Sequence, residues 1–188
     1  DDDHNHETEV ISTVELTFTP DGGGAPVIAN FVDPDGDGGM SGMADAITLV
    51  AGTTYTLEIR FLNALEDPAE DITEEIEEEA EEHMILVFGE GVEGPASMPA
   101  APIISHAYAD HESDYTSNDV GEDLPVGLRN TIVASTTGSS ELRVMLRHLP
   151  ALNGTPQKSA NIPTTYAMGG SVPGDVDADI GFELNVVP

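Results

Sequence analysis

The chain has 188 residues, no cysteine and no tryptophan, and it sets 36 aspartates and glutamates against five basic residues, for a formal net charge of -31. Without cysteine there is no disulfide, thiolate metal site, iron–sulfur cluster or cysteine nucleophile, so any metal must be held by oxygen or imidazole. A charge of that size repels phosphate and leaves no basic face, which excludes nucleic acid as a partner and draws cations toward the surface.

The start, D-D-D-H-N-H-E, reads as a flexible acidic and histidine-bearing leader over residues 1–8, of the kind that follows a cleaved signal. Residues 9–188 are expected to form a single β-sandwich domain. Val10 to Thr19 alternates, with Val14, Leu16 and Phe18 on one face, and Pro20-Asp-Gly-Gly-Gly24 ends it in a turn. Further strands are predicted over Val27–Val32, Ala46–Val50 and Thr53–Leu62, the last alternating Tyr55, Leu57, Ile59 and Phe61. Glu66 to Glu82 breaks the pattern: it holds eleven carboxylates, and Ile72, Ile76 and Ala80 recur at i, i+4, as in a short amphipathic helix or a solvated acidic connector.

Met84 to Phe88 is a continuous apolar run suited to a fully buried strand, and Ile103–Ala109 is a weaker strand candidate. Leu128–Ser135 and Glu141–His148 flank a Gly-containing turn and read as a hairpin. Ile180–Val187 closes the chain with Ile180, Phe182, Leu184 and Val186 in phase. Short alternating strands between Gly, Pro and Asp turns predict an all-β fold, an antiparallel immunoglobulin-like β-sandwich with one short acidic helix or connector. No window of about 18 apolar residues exists, so no membrane span is predicted.

Three acidic runs are candidate cation sites. Asp33-x-Asp35-x-Asp37-Gly38 reproduces the first half of a calcium loop, in which carboxylates at alternate positions turn inward and a glycine permits the sharp bend. The glutamate that would complete an EF-hand is absent, since Ala44 stands in its place. Asp110-x-Glu112-x-Asp114 and Asp175-x-Asp177-x-Asp179 also alternate, which puts three carboxylates on one side of an extended chain, where Ca²⁺ would relieve their repulsion. Histidine gives a competing route to a transition metal: His4, His6, His83, His106 and His111 offer imidazole to Zn²⁺ or Cu²⁺, and Met40 with Met43 offers thioethers to Cu(I). Against these stand plainer readings, in which His83 and His148 are strand-edge residues, His4 and His6 are solvated, and the acidity is adaptation to high salt. No nucleophile elbow or phosphate loop is present, and nothing marks an apolar pocket for a catalytic carboxylate, so no enzyme activity is expected.

Glu9-Val-Ile-Ser-Thr-Val, Asp33-Pro-Asp-Gly-Asp-Gly38, Pro68 to Glu79 and Leu146-Arg-His-Leu-Pro150 together resemble a group of small acidic lipoproteins of Bacteroidota, often named as a type 1 periplasmic binding fold. That name implies an α/β fold with parallel strands, against the alternating strands read here. The resemblance also implies a lipidated cysteine just before Asp1, an N-terminal lipid anchor, and display on the outer-membrane surface. The leading expectation is a non-enzymatic, extracellular, calcium-binding structural, adhesive or filament-forming protein. It would form homo-oligomers through strand addition by the first strand or through calcium bridges. The alternative is a lipoprotein that captures a substrate or a transition metal beside an outer-membrane transporter.

Overall fold

The fold is described by a computed structural model over residues 10–36, 42–117 and 121–188. Alternation builds its first sheet. In β1 (Thr13–Pro20) Val14, Leu16 and Phe18 are fully buried. Tyr55, Leu57, Ile59 and Phe61 are buried in the same way in β5 (Thr53–Asn63). The two strands pair antiparallel with Leu16 opposite Ile59, so their apolar faces coincide; a slip of one residue would turn every one of them to water. β2 (Val27–Val32) and β3 (Met43–Ala44) extend the sheet beyond β1, while β6 (Glu70–Asp71) adds to β5. On the other side of β5 lie β10 (Arg129–Ala134), β9 (Ile104–Tyr108) and β8 (Val92–Glu93).

The second sheet runs in the order β4 (Ile47–Val50), β12 (Asp175–Val187), β11 (Gly138–His148) and β7 (His83–Phe88). The architecture is the two-sheet sandwich expected, antiparallel except for short parallel pairings of β4 with β12 and of β8 with β9 at sheet edges. Its main core joins Val14, Leu16 and Phe61 of the first sheet to Ile85, Leu146 and Phe182 of the second. The apolar run in β7 is buried on both faces, as its continuity predicts: Met84, Leu86 and Met145 face away from the main core and are covered by Ile162 of α2 (Ile162–Ala167).

The acidic segment does fold as a helix, α1 (Ile72–Glu78), followed by a 3₁₀ turn over Ala80–Glu82. Asp71 caps it by accepting from the Thr73 amide at 3.1 Å, and Glu74 and Glu75 lie at its positive end. Ile72, Ile76 and Ala80 are buried, and the Thr73 hydroxyl accepts from the Phe61 amide (2.9 Å) and donates to the Phe61 carbonyl (3.2 Å), which fixes the helix to β5. Packing, not propensity, holds so acidic a helix in place.

The structure alters three expectations. β10 and β11 are not a hairpin: β10 pairs with β5 and β9 while β11 pairs with β12 and β7, so the Gly-containing turn carries the chain from one sheet to the other. The first strand has β2 and β5 on its two sides, which leaves no free backbone edge for strand addition through β1. Asp175, Asp177 and Asp179 do not share a face. Asp179 lies opposite Met145 and Asp175 opposite His148, and a bulge at Leu146/Arg147 leaves Asp177 unpaired between them. Among the described residues no helix is long and apolar enough to cross a membrane.

Candidate metal centre

The 3₁₀ turn after α1 delivers the chain into β7 at His83, and the pairing of β7 with β11 sets His83 directly opposite His148. Both share the strand parity of Ile85 and Leu146, so they prolong the inner face of the second sheet beyond the apolar core. Their rings stack, with centroids 4.8 Å apart and planes 7° from parallel. His83 is fully buried; its Nδ1 lies 3.2 Å from the Glu79 carbonyl oxygen. A carbonyl can only accept, so Nδ1 carries the proton and Nε2 presents a lone pair. That Nε2 is shut off from solvent and has no hydrogen-bond partner.

The side chains of Glu79, His83 and His148 each place one donor atom within 4.8 Å of the other two. Donors around a zinc ion stand about 3.3 Å apart, given bonds of about 2.0–2.1 Å, so the group needs a modest contraction that the partly exposed Glu79 and His148 side chains can supply. A ligating imidazole ordinarily donates its second N–H to a carbonyl or carboxylate, and the His83–Glu79 contact is of that kind. Burial pushes the His83 pKa down to about 4; the Glu79 carbonyl opposes the shift, and the proximity of His148 and Lys158 adds to it. At neutral pH the ring is therefore uncharged and able to ligate. Glu82 adds a further carboxylate 3.9 Å from His148 Nε2.

The acidic runs fare differently. Asp33 is buried, its amide bonds the Ser12 carbonyl at 2.8 Å, and both it and Asp35 interact with other groups of the protein; Asp37 lies outside the described residues, as do His4, His6 and Met40. Met43 is exposed on the short strand β3.

Asp110, Glu112 and Asp114 do not converge. Asp110 is fully buried and accepts from the amides of Gly127 (2.8 Å) and Arg129 (2.9 Å) and from the Tyr115 hydroxyl (2.9 Å). Glu112 pairs at 2.8 Å with Lys158, the one lysine of the chain, and both side chains are nearly inaccessible. Asp114 accepts from the His111 amide at 3.0 Å and lies 3.5 Å from Arg129. His106 Nε2 contacts the side-chain amide oxygen Oδ1 of Asn130 at 2.9 Å, and a Cβ built on Gly94 would come to 3.0 Å from its Nδ1, so backbone crowds the side where an ion would enter.

In the last run, Asp179 is taken by Arg143 at 2.8 Å, Asp175 stands opposite His148, and the Asp177 carboxyl is raised by burial and drawn back by His148. Sequence reasoning missed Glu79 as a donor and treated His83 and His148 separately. No local motif links them, because their meeting depends on the register of two strands far apart in the chain.

A concavity of about 500 Å³ lies on the outer face of the first sheet beside α1; Glu15, Glu58, Glu74 and Glu77 line it with Arg60 and Tyr115. Arg60 is engaged there by Asp71 at 2.6 Å. Burial raises the Glu77 carboxyl, with Asp71 and Glu74 adding to the shift. Comparison of the chain with protein-family models, curated proteins and solved structures gave no match.

Proposed function

We propose that the protein is a binding β-sandwich that takes up a divalent transition-metal ion through Glu79, His83 and His148, a capture or storage role rather than a catalytic one. The observation that carries this is His83: its buried Nε2 has no hydrogen-bond partner, its tautomer is set by the Glu79 carbonyl, and its ring meets the donor side chains of Glu79 and His148. A buried nitrogen without a partner is costly, and a metal ion relieves that cost directly. Two imidazoles with a carboxylate suit Zn²⁺, Co²⁺ or Cu²⁺ better than Ca²⁺, which prefers oxygen. The strongly acidic surface would concentrate cations near the site, and it fits the expected place of the chain outside the cytoplasm.

Calorimetric titration with Zn²⁺ after chelator treatment tests the proposal. Micromolar binding is expected, lost in His83→Gln and in His148→Asn and not competed by millimolar Ca²⁺. Zinc binding that survives both substitutions, or no binding at all, overturns it.

A further inference from the structure

We propose that Asn153 is a self-modifying residue: without an enzyme it converts to aspartate and isoaspartate, through attack by the Gly154 backbone nitrogen on the Asn153 side chain. The site lies apart from the metal centre and does not depend on it.

The sequence places the reacting pair at a single point. Of the asparagines in the chain, Asn153 alone is followed by glycine. A side chain on the following residue crowds the nitrogen as it turns toward the carboxamide, and glycine has none. The structure then leaves the pair free to react. Leu152 and Thr155 form an isolated bridge, with N–H to carbonyl distances of 2.9 and 3.0 Å, and Asn153 and Gly154 make the turn between them with φ of 52° and 74°. Both bonds belong to Leu152 and Thr155, so the bridge does not hold the Gly154 N–H. A Cβ built on Gly154 would meet nothing within 4 Å, and residues 151–156 are all exposed.

The other described asparagines are held. Asn63 and Asn130 are buried, and their side-chain oxygens are engaged by the Leu65 amide and by His106. Asn161 and Asn185 accept from the hydroxyls of Ser159 and Ser139. Asn30 is fixed within β2, its backbone bonded to Asp45.

The reaction needs only water and a proton acceptor from solvent. The Gly154 nitrogen loses its proton and bonds to Asn153 Cγ; the Cγ–N bond of the carboxamide breaks, and the nitrogen takes up a proton and leaves as ammonia. The product is a five-membered succinimide ring. Water opens it at Cγ to give aspartate, or at the Asn153 main-chain carbonyl to give isoaspartate, and nothing is oxidised or reduced. Nitrogen and Cγ meet once the backbone at Asn153 rotates out of the turn. What resists that rotation is one pair of hydrogen bonds at an exposed loop tip, where local opening is easiest.

Both products add a negative charge. Isoaspartate also lengthens the main chain by a methylene, so the register that pairs Leu152 with Thr155 is lost. The altered turn joins β11, which carries His148, to the segment that buries Lys158 against Glu112. An irreversible change there marks the age of the molecule.

Peptide mapping of the full-length chain, kept folded at neutral and at mildly alkaline pH and sampled over days, tests the proposal. The mass gain of –NH₂ replaced by –OH is expected at Asn153, roughly tenfold faster than at any other described asparagine. It should quicken with pH, because the Gly154 nitrogen must lose its proton, and it should yield isoaspartate as well as aspartate. Asn153→Gln, whose longer side chain would have to close a larger ring, should stay unchanged under the same conditions. Reaction at Asn153 in the urea-unfolded chain but not in the folded one would mean that the turn shields the pair, and would overturn the proposal. Aspartate without isoaspartate, equal rates at all asparagines, or no change at Asn153 in either state would overturn it as well.

Discussion

His83 and His148 lie face to face, 4.8 Å between ring centroids and 7° between planes, one fully buried and the other at the margin of the sheet. Two imidazoles this close can both be neutral or share a cation, but they resist both being protonated. The pair therefore makes the end of the second sheet sensitive to acid.

The acid sensitivity has a defined window. The folded pKa of His83, about 4, lies below the ordinary value of 6.5, so the unfolded chain takes up a proton first as the pH falls. Stability is complete above the ordinary value and declines down to the folded one, by roughly 3 kcal/mol for this group. Chemical denaturation across that window should show the decline in the wild type and a shallower one in His83→Gln. Parallel curves for the two proteins would contradict the assignment.

Metal should act in the opposite direction. An ion bound to the native centre stabilises it by about 2.7 kcal/mol at a free concentration a hundred times the Kd, so Zn²⁺ should raise the melting temperature and a chelator should reverse the rise. Calcium at the same concentration should do much less. A larger rise with calcium, abolished by Asp35→Asn, would move the site to the Asp33 loop instead.

Lys158 and Glu112 form a buried ion pair, with side-chain exposures of 1% and 3%, and Lys158 also donates to the Ala80 carbonyl at 2.7 Å. Removing one partner strands the other, so Lys158→Met should cost about 3–5 kcal/mol. Lys158→Met combined with Glu112→Gln should recover most of that loss, because no buried charge then lacks a partner. Equal losses in the single and double variants, read from urea melts, would show that the pair matters through packing alone.

Asp110 joins the amides of Gly127 and Arg129 to the Tyr115 hydroxyl. Asp110→Ala should unpair both amides at about 1–3 kcal/mol each, whereas Tyr115→Phe, which removes one donor and leaves the carboxylate held, should cost about 1 kcal/mol. Similar losses in the two variants would argue against the amides as the main contribution.

Salt provides the last test. With 36 acids against five bases, most carboxylates have no basic side chain to pair with, and their mutual repulsion is screened only by counterions. Lowering salt lengthens the Debye screening distance from about 3 Å at 1 M to about 30 Å at 0.01 M, so the melting temperature should fall steadily. A flat profile without divalent cations would mean that the acids are already well dispersed.

The alternating segments were legible in the sequence because burial on one face of a strand imposes a period of two: Val14, Leu16 and Phe18 in β1 and Tyr55 to Phe61 in β5 are buried where that period puts them. Ile72, Ile76 and Ala80 marked α1 for the same local reason at helical spacing. Which sheet a strand joins is not a local property, and so the segments around Thr136 to Ser140 looked like a hairpin although they feed different sheets. The short strands β3, β6 and β8 and the helix α2 were not foreseen, since two residues carry no period and α2 is defined by what it covers. The candidate site shows the same division. Composition by itself determined that any metal would be held by imidazole and carboxylate, because there is no cysteine. Tertiary structure alone decided which of the many acids and histidines meet: strand register brings His148 to His83, the end of α1 brings Glu79, and one bulge in β12 takes Asp177 out of the alternation that the sequence implied.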